Sequence, residues 1–218
     1  MKKLLVAAVA AFPVLASAQN LLLNNAGFEG LAGTTIPGWT SSNLGSNPAA
    51  VIVYGPGAAF GEAVMADPLT VGSPELGGRQ GLYFVEDTVT QTVSQNFTTS
   101  TAFNYNWGFD RWVPLNGLAN GSGVLTTSIL LGNAVVASNV FNIAGPAQSW
   151  VNFSGVFLGA AQTTYTFRFS FAGVGFPSED IVVDRAFVTL VPEPGTYGLM
   201  AAGLLVVGFV ARRRSSKR

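Results

Sequence analysis

Strict alternation of bulky with small or polar side chains is the feature that most narrows the fold of this chain. Residues 103–109 read FNYNWGF, with Phe103, Tyr105, Trp107 and Phe109 on one parity and Asn104, Asn106 and Gly108 on the other. Residues 164–171 behave alike: Tyr165, Phe167, Phe169 and Phe171 alternate with Thr164, Thr166, Arg168 and Ser170. Val89, Val93 and Phe97 share a parity opposite Thr90, Thr92, Ser94 and Asn96. Successive side chains of a strand point to opposite faces, so a period of two with one bulky parity predicts half-buried strands on a common core.

Further strands fit residues 51–54, 82–85, 124–131, 135–141, 150–157 and 181–190. Turn signals separate them: Asn116-Gly117, Asn120-Gly121, Gly132-Asn133 and Gly145-Pro146,. In LLGNAV, Gly132-Asn133 predicts a two-residue hairpin turn between its flanking strands. About nine strands spaced by roughly ten residues, with no long amphipathic helix between the chain ends, predict an all-β, antiparallel β-sandwich.

The chain of 218 residues contains neither cysteine nor histidine. That removes disulfides, thiolate nucleophiles, the usual general base and the usual transition-metal ligands. Carboxylate chemistry and oxygen-ligated calcium remain. The formal net charge of zero is a sum of unlike parts, because basic residues gather at both ends. Between residues 19 and 191 four arginines oppose ten acids, a net charge of −6 with no lysine. Nucleic-acid affinity rests on cations neutralising phosphates, so nucleic acid is excluded as a partner.

Both ends are directed to a membrane. Lys2 and Lys3, an apolar run and small residues at Ala16 and Ala18 have the layout of a signal peptide over residues 1–18, cleaved after Ala18,. The secretion translocon and signal peptidase are the partners that this implies. Residues 196–211 are uncharged and apolar, and Arg212, Arg213 and Arg214 open a basic tail that runs to residue 218. A run of 16 residues is just shorter than the roughly 17 to 25 of a typical transmembrane helix. The basic tail predicts a single C-terminal transmembrane helix with its arginines in the cytoplasm. Pro192, Glu193 and Pro194 place a rigid extended segment directly before it,.

The order Pro-Glu-Pro, short apolar helix, arginine cluster resembles the PEP-CTERM sorting signal of Gram-negative bacteria, here over residues 192–218. The resemblance implies processing by exosortase near Pro192–Pro194. It also implies an inner-membrane precursor with its domain in the periplasm, and a mature form at the cell surface or in an exopolysaccharide or biofilm matrix. The domain between, residues 19–191, opens with NLLLNNAGFEG and IPGWT and closes with TTYTFRFSF and EDIVVDRAFVTL. These stretches resemble the first and last strands of galactose-binding-like, carbohydrate-binding-module domains, which implies a jelly-roll sandwich. Trp39 matches that family's structural tryptophan, and Arg185 stands where a second acidic residue is usual in the last strand.

The resemblance also implies a structural calcium held by carboxylates at the matching positions, Glu29 and Asp184. Asp184 shares the parity of Val182, Ala186 and Val188, which reads as an inner face where a carboxylate needs a partner,. The rival readings are an ion pair to Arg185 or Arg168, or exposure at a sheet edge. Among Trp39, Tyr54, Tyr83, Trp107, Trp112 and Trp150, the ring most open to stacking on a sugar is Trp112. It reads as part of a Gly/Asn-rich loop with Asp110 and Arg111 beside it to bond hydroxyls, whereas Trp107 reads as core,. The adjacent acids Glu86-Asp87 and Glu179-Asp180 point to opposite faces of a strand and do not make a glycosidase pair,. The leading expectation is a non-enzymatic surface or matrix protein, adhesive or structural, needing no cofactor and binding sugar weakly. The alternatives are a dedicated carbohydrate-binding module and, behind it, a glycoside hydrolase.

Overall fold

The computed structural model describes residues 21–42, 45–59, 61–67, 78–115, 122–143, 147–174, 180–191 and 203–205. Its strands are β1 (Thr40–Ser42), β2 (Ala50–Val53), β3 (Gly55–Ala59), β4 (Glu62–Val64), β5 (Gln80–Phe84), β6 (Gln91–Thr99), β7 (Phe103–Val113), β8 (Ser122–Leu131), β9 (Ala134–Ile143), β10 (Ala147–Gly159), β11 (Thr163–Val174) and β12 (Ile181–Leu190). They form two five-stranded sheets, β1-β6-β11-β8-β9 and β10-β7-β12-β5-β2, with β3 and β4 paired separately. Every pairing is antiparallel. The predicted antiparallel sandwich is therefore the fold. Among the described residues no helix is long and apolar enough to cross a membrane. The signal segment 1–18, Pro192, Glu193 and Pro194, most of the apolar run 196–211, and Arg212, Arg213 and Arg214 lie outside the described residues, as do the other three turn signals.

Each of the nine expected strands is present. β1, β3 and β4 are additional, and they are too short or too rich in Gly and Ala to carry an alternating signal. Gly132-Asn133 is the two-residue turn between Leu131 and Ala134, and the φ of 58° at Gly132 is one that side chains rarely adopt,. Val89 is a correction: it precedes β6 and is exposed, because the strand's inner parity begins at Gln91.

The alternating aromatics meet between the sheets. Trp107 and Phe109 of β7 face Phe167 and Phe169 of β11 edge-on, with ring centroids 6.1 and 5.2 Å apart. Phe97, Tyr105, Phe157 and Tyr165 stack at one end. Such pairs contribute about 0.5–1.5 kcal/mol each beyond the area they bury. This cluster also contains Phe28 and Trp39 from the chain before β1, whose rings lie 5.1 Å apart, so the structural role implied for Trp39 holds.

That first segment is held by side chains rather than by a long ladder. Leu22 N donates to Val188 O and Ala186 N to Ala26 O, so the segment continues the sheet beside β12 where β5 ends. Gln95, buried on the inner parity of β6, accepts from Asn24 N at 2.6 Å and donates to Asn24 O and Gly38 O at 2.8 Å. Gln95→Ala leaves three backbone groups without partners and should destabilise the domain by about 2 kcal/mol, since each buried unmet group costs about 1–3 kcal/mol. Thr98→Ala, on the exposed face of the same strand, removes only a Thr98–Thr164 hydroxyl pair and should shift stability by less than about 0.5 kcal/mol,. Chemical denaturation of the two variants checks both.

Candidate functional site

β12 reads IVVDRAFV, and a carboxylate and a guanidinium inside so apolar a run must be explained by what surrounds them. The pairing of β12 with β7 shifts between Asp184 and Phe187: Asp184 sits opposite Asp110, but Phe187 sits opposite Gly108. One extra residue on β12 makes a β-bulge, and Arg185 takes a φ of 48° within it,. The bulge reverses the parity. Val182 and Asp184 lie on the outer face of the sheet, while Ala186 and Val188 join the core between the sheets. The expectation that Asp184 shares an inner face with Val182, Ala186 and Val188 is corrected on this ground.

The outer face is covered. The β3–β4 hairpin lays Ala59 and Val64 on Tyr83, Trp112, Trp150 and Val182, a second apolar cluster separate from the main core. Glu62 of β4 accepts a hydrogen bond from Leu115 N, and Trp150 Nε1 donates to Met65 O at 2.8 Å. Tyr54, just before the hairpin, donates its hydroxyl to Asp184 Oδ2 at 2.5 Å. Arg185 Nη1 lies 3.1 Å from Asp110 Oδ2 and 3.5 Å from Asp67 Oδ1, and all three side chains are buried. Asn152 Nδ2 donates to Asp110 Oδ1 at 2.6 Å, and the Tyr83 hydroxyl donates to Asp180.

Under this cover carboxyl groups are harder to ionise. Burial pushes Asp184 up to about 8, against the lowering pull of its hydrogen bonds from Tyr54 and the Arg185 amide. Burial raises Asp180 to about 6 despite its bond from Tyr83. Asp67 is raised by burial and by the charge of Asp110, which outweigh the opposite pull of Arg185. Burial, with the neighbouring Asp184 and Asp180, raises Tyr54 and Tyr83, so both phenols stay neutral donors. Glu86 is the opposite case. Hydrogen bonds from Thr88 and the Asn47 amide hold it down at about 2.

The expected site residues separate. Trp112 is not in a loop: β7 runs on to Val113 and places it in a strand, 4% exposed and 5.8 Å from the Trp150 ring. Its Nε1 meets no acceptor among the described residues. Asp110 shares its outer face, but Arg111 points the other way, its guanidinium 3.8 Å from the centroid of Phe141 in the opposite sheet. The three therefore do not form one cluster. Trp39, Trp107 and Trp150 are buried as well.

Glu29 and Asp184 hold separate hydrogen-bond partners, although the charge of Glu29 reaches Asp184 and adds to the rise that burial causes there. Glu29 is exposed and its Oε1 accepts from Arg79 N at 2.8 Å and Gln80 N at 3.1 Å, in a niche that a Cβ on Gly78 would fill. Both oxygens of Asp184 accept hydrogen bonds, from Tyr54 and from Arg185 N at 2.6 Å. Carboxylate oxygens already engaged by protein donors do not fit a calcium shell of six to eight oxygens. Among the described residues no group of three or more acidic side chains could hold a metal. The sequence pattern gives Asp67 no role and shows Asp180 only as half of an acidic pair, while Arg185, a rival ion-pair partner for Asp184, meets Asp110 and Asp67. The available signal was the charge pair Asp184-Arg185 within an otherwise apolar strand.

Because the folded chain keeps protons on Asp184 and Asp180 that the unfolded chain releases near 3.8, stability should fall as pH rises from about 4 to about 8 and level off above it,. Below about 3.5 stability should fall again as Glu86 takes up its proton, giving a maximum between about pH 3.5 and 4,. Urea denaturation across pH 3–9 checks this, and a flat profile between pH 5 and 8 would contradict it; Asp184→Asn should flatten the upper limb.

Comparison with known proteins agrees with this architecture. The structure resembles TmCBM61 in complex with β-1,4-galactotriose at 15% identity and a TM-score of 0.55, covering 79% of this chain and 99% of that one. It also resembles the Stig cyclase FisC from Fischerella sp. TAU, at 16% identity and a TM-score of 0.56, covering 79% and 97%. Arabinose-bound MgGH51 α-L-arabinofuranosidase matches at 17% identity and a TM-score of 0.51, over 78% of this chain but 26% of that one. These likenesses show the fold, which is that of the galactose-binding-like, carbohydrate-binding-module jelly rolls. No curated protein matches the chain by sequence. Residues 190–214 match the PEP-CTERM protein-sorting motif, so the chain carries the sorting signal of an exported, exosortase-processed bacterial protein whose precursor is anchored in a membrane.

Proposed function

We propose that this chain is a non-enzymatic protein of the bacterial cell surface or extracellular matrix, delivered as one jelly-roll sandwich and freed from its tail by exosortase. The observation that carries this reading is the order of parts: β12 ends at Leu190, and the sorting motif spans residues 190–214. A sandwich with all of its central strand committed to packing is thus joined directly to a removable anchor. The signal peptide 1–18 takes the precursor through the translocon, and the apolar run 196–211 halts it with Arg212, Arg213 and Arg214 in the cytoplasm,. The domain then folds in the periplasm of a Gram-negative cell and is retained in an exopolysaccharide or biofilm layer.

A structural role fits the carboxylates. A glycosidase needs two carboxyl groups facing a substrate across a cleft. Here Asp67 and Asp110 face a buried arginine, while Asp180 and Asp184 face tyrosine hydroxyls. The role requires no cofactor, and calcium is not part of it.

The second reading, a dedicated carbohydrate-binding module, is favoured by one feature: Trp112 and Trp150 lie together near Asp110 and Asn152, and Trp112 Nε1 is a donor without an acceptor among the described residues. A sugar would have to displace the β3–β4 hairpin to reach them. Two measurements decide between the readings. Mass spectrometry of the protein recovered from cells and medium should find chains that begin at Gln19 and end near Pro192–Pro194; a C-terminus still at Arg218 would contradict the sorting pathway. On immobilised polysaccharides, including β-1,4-linked galactan, Trp112→Ala should leave retention unchanged within about twofold, whereas a loss of tenfold or more would favour the dedicated module.

A further inference from the structure

A five-stranded sheet has two edges, so this sandwich has four. Among the described residues they are β1, β9, β10 and β2, the last of which is bridged by Gly33 at Val51. Unpaired edge strands template association with other chains, and proteins guard them by shortness, bulges, charges or proline. β1 has three residues and β2 has four. β9 is interrupted by a bulge at Val136, where Ile129 pairs with Ala137 but Leu130 with Val135. β10 is the longer uninterrupted edge. From Val151 to Gly159 it runs in unbroken register along β7 on one side, against Ala137 to Ile143 on β9, and its sequence AQSWVNFSGVFLG, like that of β9, contains no charge and no proline. The residues that face the core are Phe153, Gly155, Phe157 and Gly159, set opposite Phe109, Trp107, Tyr105 and Phe103. On the outer face Val156 and Leu158 stand 58% and 73% exposed.

We propose that β10 is an assembly edge, at which two copies of this chain pair antiparallel about a two-fold axis and join their sheets into one of ten strands. The chemistry of the edge calls for a β-strand, since a row of free amide and carbonyl groups is satisfied by another such row. Charge selects a second copy. Even with Asp67, Asp110, Asp180 and Asp184 neutral, six acids oppose four arginines between residues 19 and 191, so the domain stays negative and like copies lose least at an edge that carries no charge,. A basic partner would be drawn to the acidic faces instead. The apolar outer residues Val156 and Leu158 offer a sugar no hydrogen bond. A two-fold axis near Gly155 sets Ser154 beside the partner's Val156 and Asn152 beside the partner's Leu158, so exposed apolar side chains gain cover on both copies,.

The absence of cysteine makes this testable in the full-length chain, exported in producing cells. Single substitutions Asn152→Cys, Ser154→Cys, Val156→Cys and Leu158→Cys, with Ser138→Cys on β9 and Thr98→Cys on β6 as controls, are oxidised on intact cells. The expected product is a disulfide-linked dimer of two copies, strongest at one or two neighbouring β10 positions and weak at both controls. Adding Val156→Lys to the best cross-linking variant should lower the dimer roughly tenfold at equal exported amount, because paired like charges oppose association. No cross-link at any β10 position, equal yield at the controls, a maximum at Ser138→Cys, or a product joined to a different protein would each overturn the proposal.

Discussion

The bulge in β12 is the constraint on which the rest of the structure depends. β12 lies at the centre of its sheet, buried from Ile181 to Thr189 on both faces, and the chain before β1 completes the ladder beside it. A regular strand would send Asp184 and Val188 to the same face. Either a carboxylate would enter the aromatic core, or the core would lose Ala186 and Val188. One extra residue resolves the conflict by turning the parity between Asp184 and Phe187,. The backbone conformation of Arg185, unfavourable for a side-chain-bearing residue, is held because its guanidinium meets Asp110 and Asp67,. Inner packing and outer electrostatics are thus two consequences of one local irregularity.

The polar layer that results is stabilised by keeping carboxyl groups neutral rather than by pairing each with a cation. Four buried acids, Asp67, Asp110, Asp180 and Asp184, lie on or beside this face, and Arg185 touches two of them. The shortfall of positive charge is met by tyrosine hydroxyls and an asparagine amide. Burial raises Asp180 and Asp184, and a neutral carboxyl costs less to bury than an isolated anion,. The β3–β4 hairpin is what keeps water out, so its own sequence, otherwise small and weakly patterned, acts through exclusion rather than through strong contacts of its own.

Most of the sandwich was legible in the sequence because its core strands alternate strictly. Trp107, Phe167 and Phe169 could be placed inward from parity alone, and Gly132-Asn133 from turn chemistry. Parity failed where its premise failed. A bulge inserts a residue without changing the composition of the strand, so parity alone puts Asp184 on the wrong face. Gly and Asn crowd the residues after Trp112 and read as a loop, although β7 carries its pairing through to Val113. The outer cluster was illegible for a different reason. Asp67, Asp110 and Arg185 are far apart in sequence, and only the hairpin, which has no alternating signal, brings the first to the others.

The two ends of the molecule and its interior follow one logic. Export exposes a chain to oxidants and removes it from cytoplasmic assistance, and the domain has no cysteine to mispair on arrival,. Its interior is held instead by aromatic packing and buried hydrogen bonds, with no disulfide. An apolar run of 16 residues is short for a permanent span, in keeping with the anchored precursor that the sorting motif implies,. Val191 N donates to Asn104 O, so the hydrogen bonding beside β7 continues one residue past Leu190, into the stretch that matches the sorting motif.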